Sequence, residues 1–209
     1  MNVRSLWRTL LYKNLAKVSL SGAVIDLGGS RKSAYVKNFK GEFKLTVANL
    51  DEDETRDILL NLEEPFAIPN AQYDHVLCIN VLEHIFHYQN VITETRRILK
   101  PGGQAIFAVP FLIQIHPSPH DHWRFTKETL QRLFVEAGYS DVEVEAIGTG
   151  VFGASAQLKF NIVQIPLLRW LMNKGGEVLD RLVTTGNQGK NYTKEFYPLG
   201  YVIRAYRKD

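Results

Sequence analysis

Two kinds of apolar pattern divide this chain. From residue 3 to 18, Leu6, Trp7, Leu10, Leu11, Leu15 and Val18 recur at helical spacing, with Arg4, Arg8, Lys13, Asn14 and Lys17 between them. That spacing predicts a helix packed on a core with a basic outer face. Short apolar runs follow, several nearly continuous, as strands buried on both faces of a sheet require. The first ends at Val24-Ile25-Asp26. Later ones are Phe43 to Leu50, Asp57 to Leu62, Tyr73 to Asn80, Gln104 to Pro110, the alternating Val142 to Ile147 and, last, Gly200 to Tyr206.

Helical stretches separate the strands. Arg31 to Asn38 reads as a short helix with its amino end toward the strand tips. Asn90 is placed to cap a second, with Val91, Ile92, Thr95, Ile98 and Leu99 on one face, ended sharply by Lys100-Pro101-Gly102-Gly103. Thr126 caps a third, with Leu130, Leu133, Phe134 and Ala137 inward and Gly138 as its stop. Strands alternating with helices from residue 23 to 147 predict an α/β fold: a doubly wound, mostly parallel seven-stranded sheet with right-handed crossovers. Gly153 to Tyr197 breaks the rhythm and reads as a small helical cap over one sheet edge, with Thr184 to Tyr192 a mobile polar loop. The organisation expected is a single domain: an amino-terminal helix (1–20), a core (21–150), a cap insertion (151–198) and a last strand (199–209).

Composition narrows the function classes. The 25 basic and 22 acidic side chains are interspersed, and a net charge of +3 is too weak for the concentrated basic face that nucleic acid requires. The single cysteine, Cys78, lies in an apolar run and reads as a buried thiol. No stretch has the length and apolarity of a spanning helix or signal peptide, so residence in the cytoplasm is expected. Leu158 to Leu171 is apolar enough to dock on a bilayer, a second subunit or a lipid-linked acceptor; oligomeric state stays open.

Candidate chemistry gathers at the strand tips, where open α/β sheets bind ligands. Asp26 is followed by Gly28-Gly29-Ser30, either a close approach to a ligand or an ordinary tight turn. Asp51 lies 23 residues after Gly28, where an acid at the tip of a second strand can accept from ribose hydroxyls, or can be one solvated member of an acidic cluster. The fourth run presents Asn80, then Glu83 and His84. His116-Pro117-Ser118-Pro119-His120-Asp121-His122-Trp123-Arg124-Phe125-Thr126 crowds titratable groups onto a proline-stiffened loop after the fifth strand. His116 and His120 are candidate general bases or loop braces. Asp121 can orient a histidine, act as base or pair with Arg124, and Trp123 can pack the loop or stack on substrate. Without a defined ligand spacing, His116, His120, His122 and Asp121 give no expectation of a metal.

These motifs together resemble the class I S-adenosylmethionine-dependent methyltransferases, from about Gly22 to Tyr139. Val24-Ile25-Asp26-Leu27-Gly28-Gly29-Ser30 looks like the family's first motif, and Asp51 falls where its ribose-binding acid falls. Tyr73-Asp74-His75-Val76 through Asn80-Val81-Leu82-Glu83-His84 looks like the strand-four motif, and Arg97-Ile98-Leu99-Lys100-Pro101-Gly102-Gly103 is similar to the hallmark before strand five. Ser30 departs from the usual second glycine, and Asn61 stands where an adenine-binding Asp is common. The resemblance implies S-adenosyl-L-methionine as cofactor, held by Asp26, Gly28, Gly29, Ser30, Asp51, Asn61, Leu62, Asn80 and Glu83. It further implies an acceptor held near His84, His122, Trp123 and Arg124, with the base among His116, His120 and Asp121. The His-Pro-x-Pro-His-Asp-x-Trp-Arg-Phe-Thr segment is similar to that of a subgroup associated with glycan pathways. The expected function is O- or N-methylation of a small molecule or glycan precursor; the alternative is an S-adenosylmethionine-binding scaffold without catalysis. Glycine spacing disfavours a nicotinamide dehydrogenase.

Overall fold

In the computed structural model, which describes residues 3–50, 56–185 and 193–208, the apolar runs form one seven-stranded sheet ordered β3-β2-β1-β4-β5-β7-β6. These are β1 (Gly22–Leu27), β2 (Phe43–Asn49), β3 (Ile58–Leu59), β4 (Tyr73–Ile79), β5 (Leu99–Pro110), β6 (Tyr139–Ile147) and β7 (Gly200–Arg207). Strands β1 to β5 pair in parallel, and β7 inserts antiparallel between β5 and β6. The chain leaves β1 toward β2 on one side and returns to β4 on the other, so the strand order reverses between β1 and β4. A crevice opens at their carboxyl ends at such a point.

Both faces of the central strands are covered, which explains their unbroken apolar runs. In β4, Val76 and Cys78 join one core with Ile25, Leu27, Phe107 and Phe134, while Leu77 and Ile79 join a second with Val24, Ile106, Leu6 and Leu11. Helices α2 (Tyr88–Ile98) and α3 (Lys127–Glu136) supply the first core, and α1 (Leu6–Leu15) supplies the second. Thr126 caps α3 as expected, its side chain accepting from the Thr129 N–H.

Three local expectations are corrected. Arg31 to Asn38 is not a helix beyond one 3-10 turn at Val36–Asn38. Ser30 N–H donates to Ser33 Oγ at 3.1 Å and Ser33 N–H to the Ser30 carbonyl at 2.8 Å, and such local bonds compete with helix. Asn90 is not a cap: α2 starts at Tyr88, and the Asn90 amide donates to the Leu62 and Glu64 carbonyls. Lys100 to Gly103 does not separate helix from strand, because β5 begins at Leu99, directly after α2. Tyr73 pairs with Leu99 but His75 with Gln104, so the intervening residues bulge, and Gly102 takes a φ of 75°.

The cap consists of α4 (Val151–Lys159) and α5 (Pro166–Thr185). It packs on α1 rather than over a sheet edge: Trp7 N–H donates to Gln157 Oε1 at 3.0 Å, and the Asn173 amide donates to the Arg4 carbonyl. Ile162, Ile165, Leu167, Leu168, Trp170 and Leu171 are left exposed. No described helix is long and apolar enough to cross a membrane. Most of the stretch expected to be a mobile loop, 186–192, lies outside the described residues.

One acid holds the cap together. Helix α4 starts at Gly150 without a capping side chain, and the Asp180 carboxylate of α5 fills that role from outside. It accepts from Phe152 N–H at 2.9 Å, Gly153 N–H at 2.8 Å and Thr149 Oγ1 at 2.6 Å, and it is 2% exposed. Asp180→Ala leaves those donors without their acceptor, at a cost on the order of 2 kcal/mol. Calorimetric melting should show a midpoint lower by about 4–8 °C; an unchanged midpoint would mean the cap does not depend on this contact.

Candidate active site

Strand β1 delivers Asp26 to the crevice fully buried. Tyr35, brought back by the 3-10 turn, donates its hydroxyl to Asp26 Oδ2 at 2.6 Å. Loss of hydration pushes the Asp26 carboxyl up to about 7, against the opposing pull of the Tyr35 bond. Burial likewise drives the Tyr35 phenol well above its ordinary range. Asp26 Oδ1 has no hydrogen-bond partner.

The glycines divide their work in a way the letters alone do not show. Gly28 has a φ of 71°, and a Cβ there would stand 2.8 Å from both Val81 methyls. The space a Gly29 side chain would need is already taken by Asp26 Oδ2 and the Tyr35 hydroxyl. Gly29 therefore admits the protein's own acid beneath the turn. Asn49, at the tip of β2 and not singled out from sequence, donates to the Gly29 carbonyl at 3.0 Å and the Gly28 carbonyl at 3.4 Å; its place one residue past an apolar run was the available signal. Ser30 turns into the loop, its Oγ accepting from Lys32 N–H.

Other expected donor-site residues are scattered or engaged. Asp51 lies outside the described residues. Asn61 accepts from Glu63 N–H through Oδ1 and donates to Glu64 Oε1, so part of its amide is spent within its own turn. Leu62 is buried in the core. Asn80 adopts a left-handed φ of 55° at the tip of β4, and its Oδ1 accepts from Trp7 Nε1 at 3.2 Å. A groove of about 460 Å³ runs between α1 and α5, lined by residues such as Arg4 and Trp170; no expected site residue lines it.

Past Asn80, a 3-10 turn at Leu82–His84 folds Glu83 inward until its side chain is completely buried. Both Glu83 oxygens lack a hydrogen-bond partner. Two imidazoles face them: His84 Nε2 and His116 Nε2 each stand 3.7 Å from Glu83 Oε1. The rings meet edge to face with centroids 5.1 Å apart. Each ring rests its other nitrogen on a main-chain oxygen, His84 Nδ1 on His120 at 2.5 Å and His116 Nδ1 on Gln114 at 3.1 Å. The Glu83 carboxylate raises the His116 imidazole above its usual range, outweighing partial burial.

The rest of the loop forms a brace. His122 and Trp123 both donate their N–H groups to the Glu83 carbonyl, at 2.8 and 3.2 Å, so Glu83 anchors the loop that carries its own neighbour. Trp123 donates Nε1 to the Ile85 carbonyl and stacks near Tyr88 and Phe125, which makes it loop packing. Asp121 takes a two-pronged grip from Arg124 at 2.5 and 2.7 Å and accepts from His116 N–H at 2.9 Å. Arg124 is the main cause holding the Asp121 carboxyl down to about 2. An acid so committed makes a poor base, and of the candidates only His116 joins Glu83 and His84. His120 and His122 are exposed, with ring centroids 5.4 Å apart.

Comparison with known proteins agrees with the fold. The family described as "Methyltransferase domain" matches residues 2–144. A ubiquinone biosynthesis O-methyltransferase of Dechloromonas aromatica is 28% identical over 140 residues, covering 57% of this chain and 60% of the relative, so the chain spans under two thirds of that protein. A crystal structure of a SAM-dependent methyltransferase, possible histamine N-methyltransferase, from Thermotoga maritima superposes with a TM-score of 0.60 at 14% identity, covering 98% of this chain and 90% of that one. Haemonchus contortus phosphoethanolamine N-methyltransferase 2 in complex with S-adenosyl-L-methionine gives 0.58 at 12% identity, covering 97% of this chain and 53% of that chain. With this match and this strand order, the chain belongs to the methyltransferase domain family, whose methyl donor is S-adenosyl-L-methionine.

Proposed function

We propose that the protein transfers a methyl group from S-adenosylmethionine to an oxygen of a small-molecule or glycan-precursor acceptor. The observation that carries this reading is the grouping of Glu83, His84 and His116, three proton-accepting side chains, two of which closely follow Val81, whose methyls face Gly28. The residues present fit the donor: Asp26 Oδ1 is a buried acceptor without a partner, and Gly28 and Gly29 make a turn close to strand β4. Asp26, Gly28, Ser30, Asn49 and Asn80 would hold it, and Asp51 is the proposed ribose acid. When bound, the donor supplies an electrophilic sulfonium methyl. The chain's own share is to position the acceptor and relieve its hydroxyl of a proton. His116 is placed for this: its Nδ1 rests on the Gln114 carbonyl, leaving Nε2 toward Glu83, and it is half-exposed where an acceptor arrives. The O-methyltransferase relative supports oxygen as the target.

Calorimetry with S-adenosylmethionine and S-adenosylhomocysteine tests the donor, and failure to bind either would end the reading. Transfer of labelled methyl to the small-molecule fraction of a cell extract tests the chemistry. His116→Ala should retain donor affinity and lose about 10²-fold or more in transfer rate. Donor binding with no transfer by the wild type would favour the scaffold alternative.

A further inference from the structure

The Glu83, His84 and His116 cluster turns one carboxylate oxygen and two imidazole nitrogens toward one another. Glu83 is fully buried, and neither of its oxygens has a hydrogen-bond partner. With Nδ1–H donated to a main-chain oxygen, each neutral imidazole directs its Nε2 lone pair inward. Three converging lone pairs repel unless a positive charge sits among them. One shared proton would engage a single imidazole with the acid and leave the other imidazole unmatched. We propose that this cluster is a binding site for one divalent first-row transition cation, held by one carboxylate oxygen and two imidazoles.

The composition is of the right kind. Two imidazoles and a carboxylate are a common three-ligand set for Zn²⁺ and its neighbours, with further positions left open. The three ligand atoms already lie within 4.8 Å of one another. Ligands at bond lengths of about 2.1 Å sit roughly 3–3.5 Å apart, so modest closure suffices. His116, with a side chain 36% exposed on its loop, is the member free to close, whereas Glu83 and His84 are at 0% and 12%. The carbonyls behind both Nδ1 atoms do what outer-shell partners do at metal sites: they fix the tautomer and aim the ring. The sequence concealed this set because 32 positions separate His84 from His116, and only the β4–β5 pairing brings their loops together. For its role, an acceptor oxygen drawn to the open position and acidified there by the cation, which takes over the task given above to His116 as base, the inference rests on the proposed function. Metal binding itself does not.

The test is calorimetric titration of the chelator-treated 209-residue chain with Zn²⁺, repeated with Co²⁺ followed by visible absorption. One equivalent should bind with a dissociation constant at or below about 1 µM, and His84→Ala or His116→Ala should weaken it by about 100-fold or more. Glu83→Gln, which keeps the shape, should do the same. His87→Ala, an exposed histidine outside the cluster, should bind like the wild type. Circular dichroism of each apo variant excludes unfolding as the cause. Lack of stoichiometric binding, or binding that survives both His84→Ala and His116→Ala, overturns the proposal and leaves a His116–Glu83 ion pair only. The same samples titrated with S-adenosylmethionine separate the two readings. Donor binding without metal binding defeats this inference alone, and metal binding without donor binding defeats the proposed function alone.

Discussion

Gly29→Ala should be among the most damaging single-methyl additions to this protein. The new carbon would enter space held by Asp26 Oδ2 and lie 2.5 Å from the Tyr35 hydroxyl. Neither neighbour can yield cheaply. Asp26 is a short, completely buried side chain with two rotatable bonds, and Tyr35 is held by its 2.6 Å bond to that acid. Crowding a packed core and severing a buried hydrogen bond together cost on the order of 4 kcal/mol, which for a chain this long lowers the melting midpoint by about 8 °C or more. Affinity for S-adenosylmethionine should fall with it, because the acid beneath the turn sets the turn's position. Urea unfolding monitored by circular dichroism reads the first effect and calorimetry the second. A variant with wild-type unfolding would show that the Asp26–Tyr35 pair can relocate freely.

Asp26→Asn should remove a pH dependence rather than add one. An acid whose carboxyl is pushed up to about 7 by burial keeps its proton in the folded chain, while the unfolded chain releases it near 3.8. Between those values the folded state binds more protons, so wild-type stability declines as pH rises from about 4 to about 7 and is flat beyond. The decline from this one group is on the order of 4 kcal/mol. The amide cannot ionise, yet its oxygen can still accept from Tyr35, so the variant should unfold at nearly the same urea concentration at pH 5 and pH 8 as far as this site is concerned. The wild type should be clearly more resistant at pH 5. Equal slopes in the two proteins would mean that Asp26 is hydrated in solution.

How far the letters reveal the molecule depends on what produced them. The central strands were legible because residues buried on both faces leave continuous apolar runs, as in Val76-Leu77-Cys78-Ile79, whose members alternate between two cores. The parallel pairing of β4 with β5 followed from the helix between them. Features settled by side-chain bonds over a few residues were not legible: serines at 30 and 33 hold a turn where helix was expected, and Asn90 reaches loop carbonyls from inside α2. Apolarity in the cap was read as burial on a sheet edge, but α1 provides its seat and one side of α5 stays in solvent. The candidate site divides the same way. Local features such as the Asp26 turn and the Asp121–Arg124 pair were visible in sequence neighbours. Glu83, His84 and His116 were named separately, the acid for the donor and the histidines for other tasks, since nothing in a linear reading says that Glu83 turns inward to meet both.

Trp7 belongs to helix α1, yet its indole nitrogen ends on Asn80, and a Cβ on Gly200 would come within 2.6 Å of its ring. The crevice thus carries its own fluorophore, since a shift of Asn80 alters the polarity and hydrogen bonding that govern indole emission. Of the three tryptophans, Trp7 is the one buried in the core against a proposed donor-holding residue. Light emitted by the first helix therefore reports on events at the tip of the fourth strand.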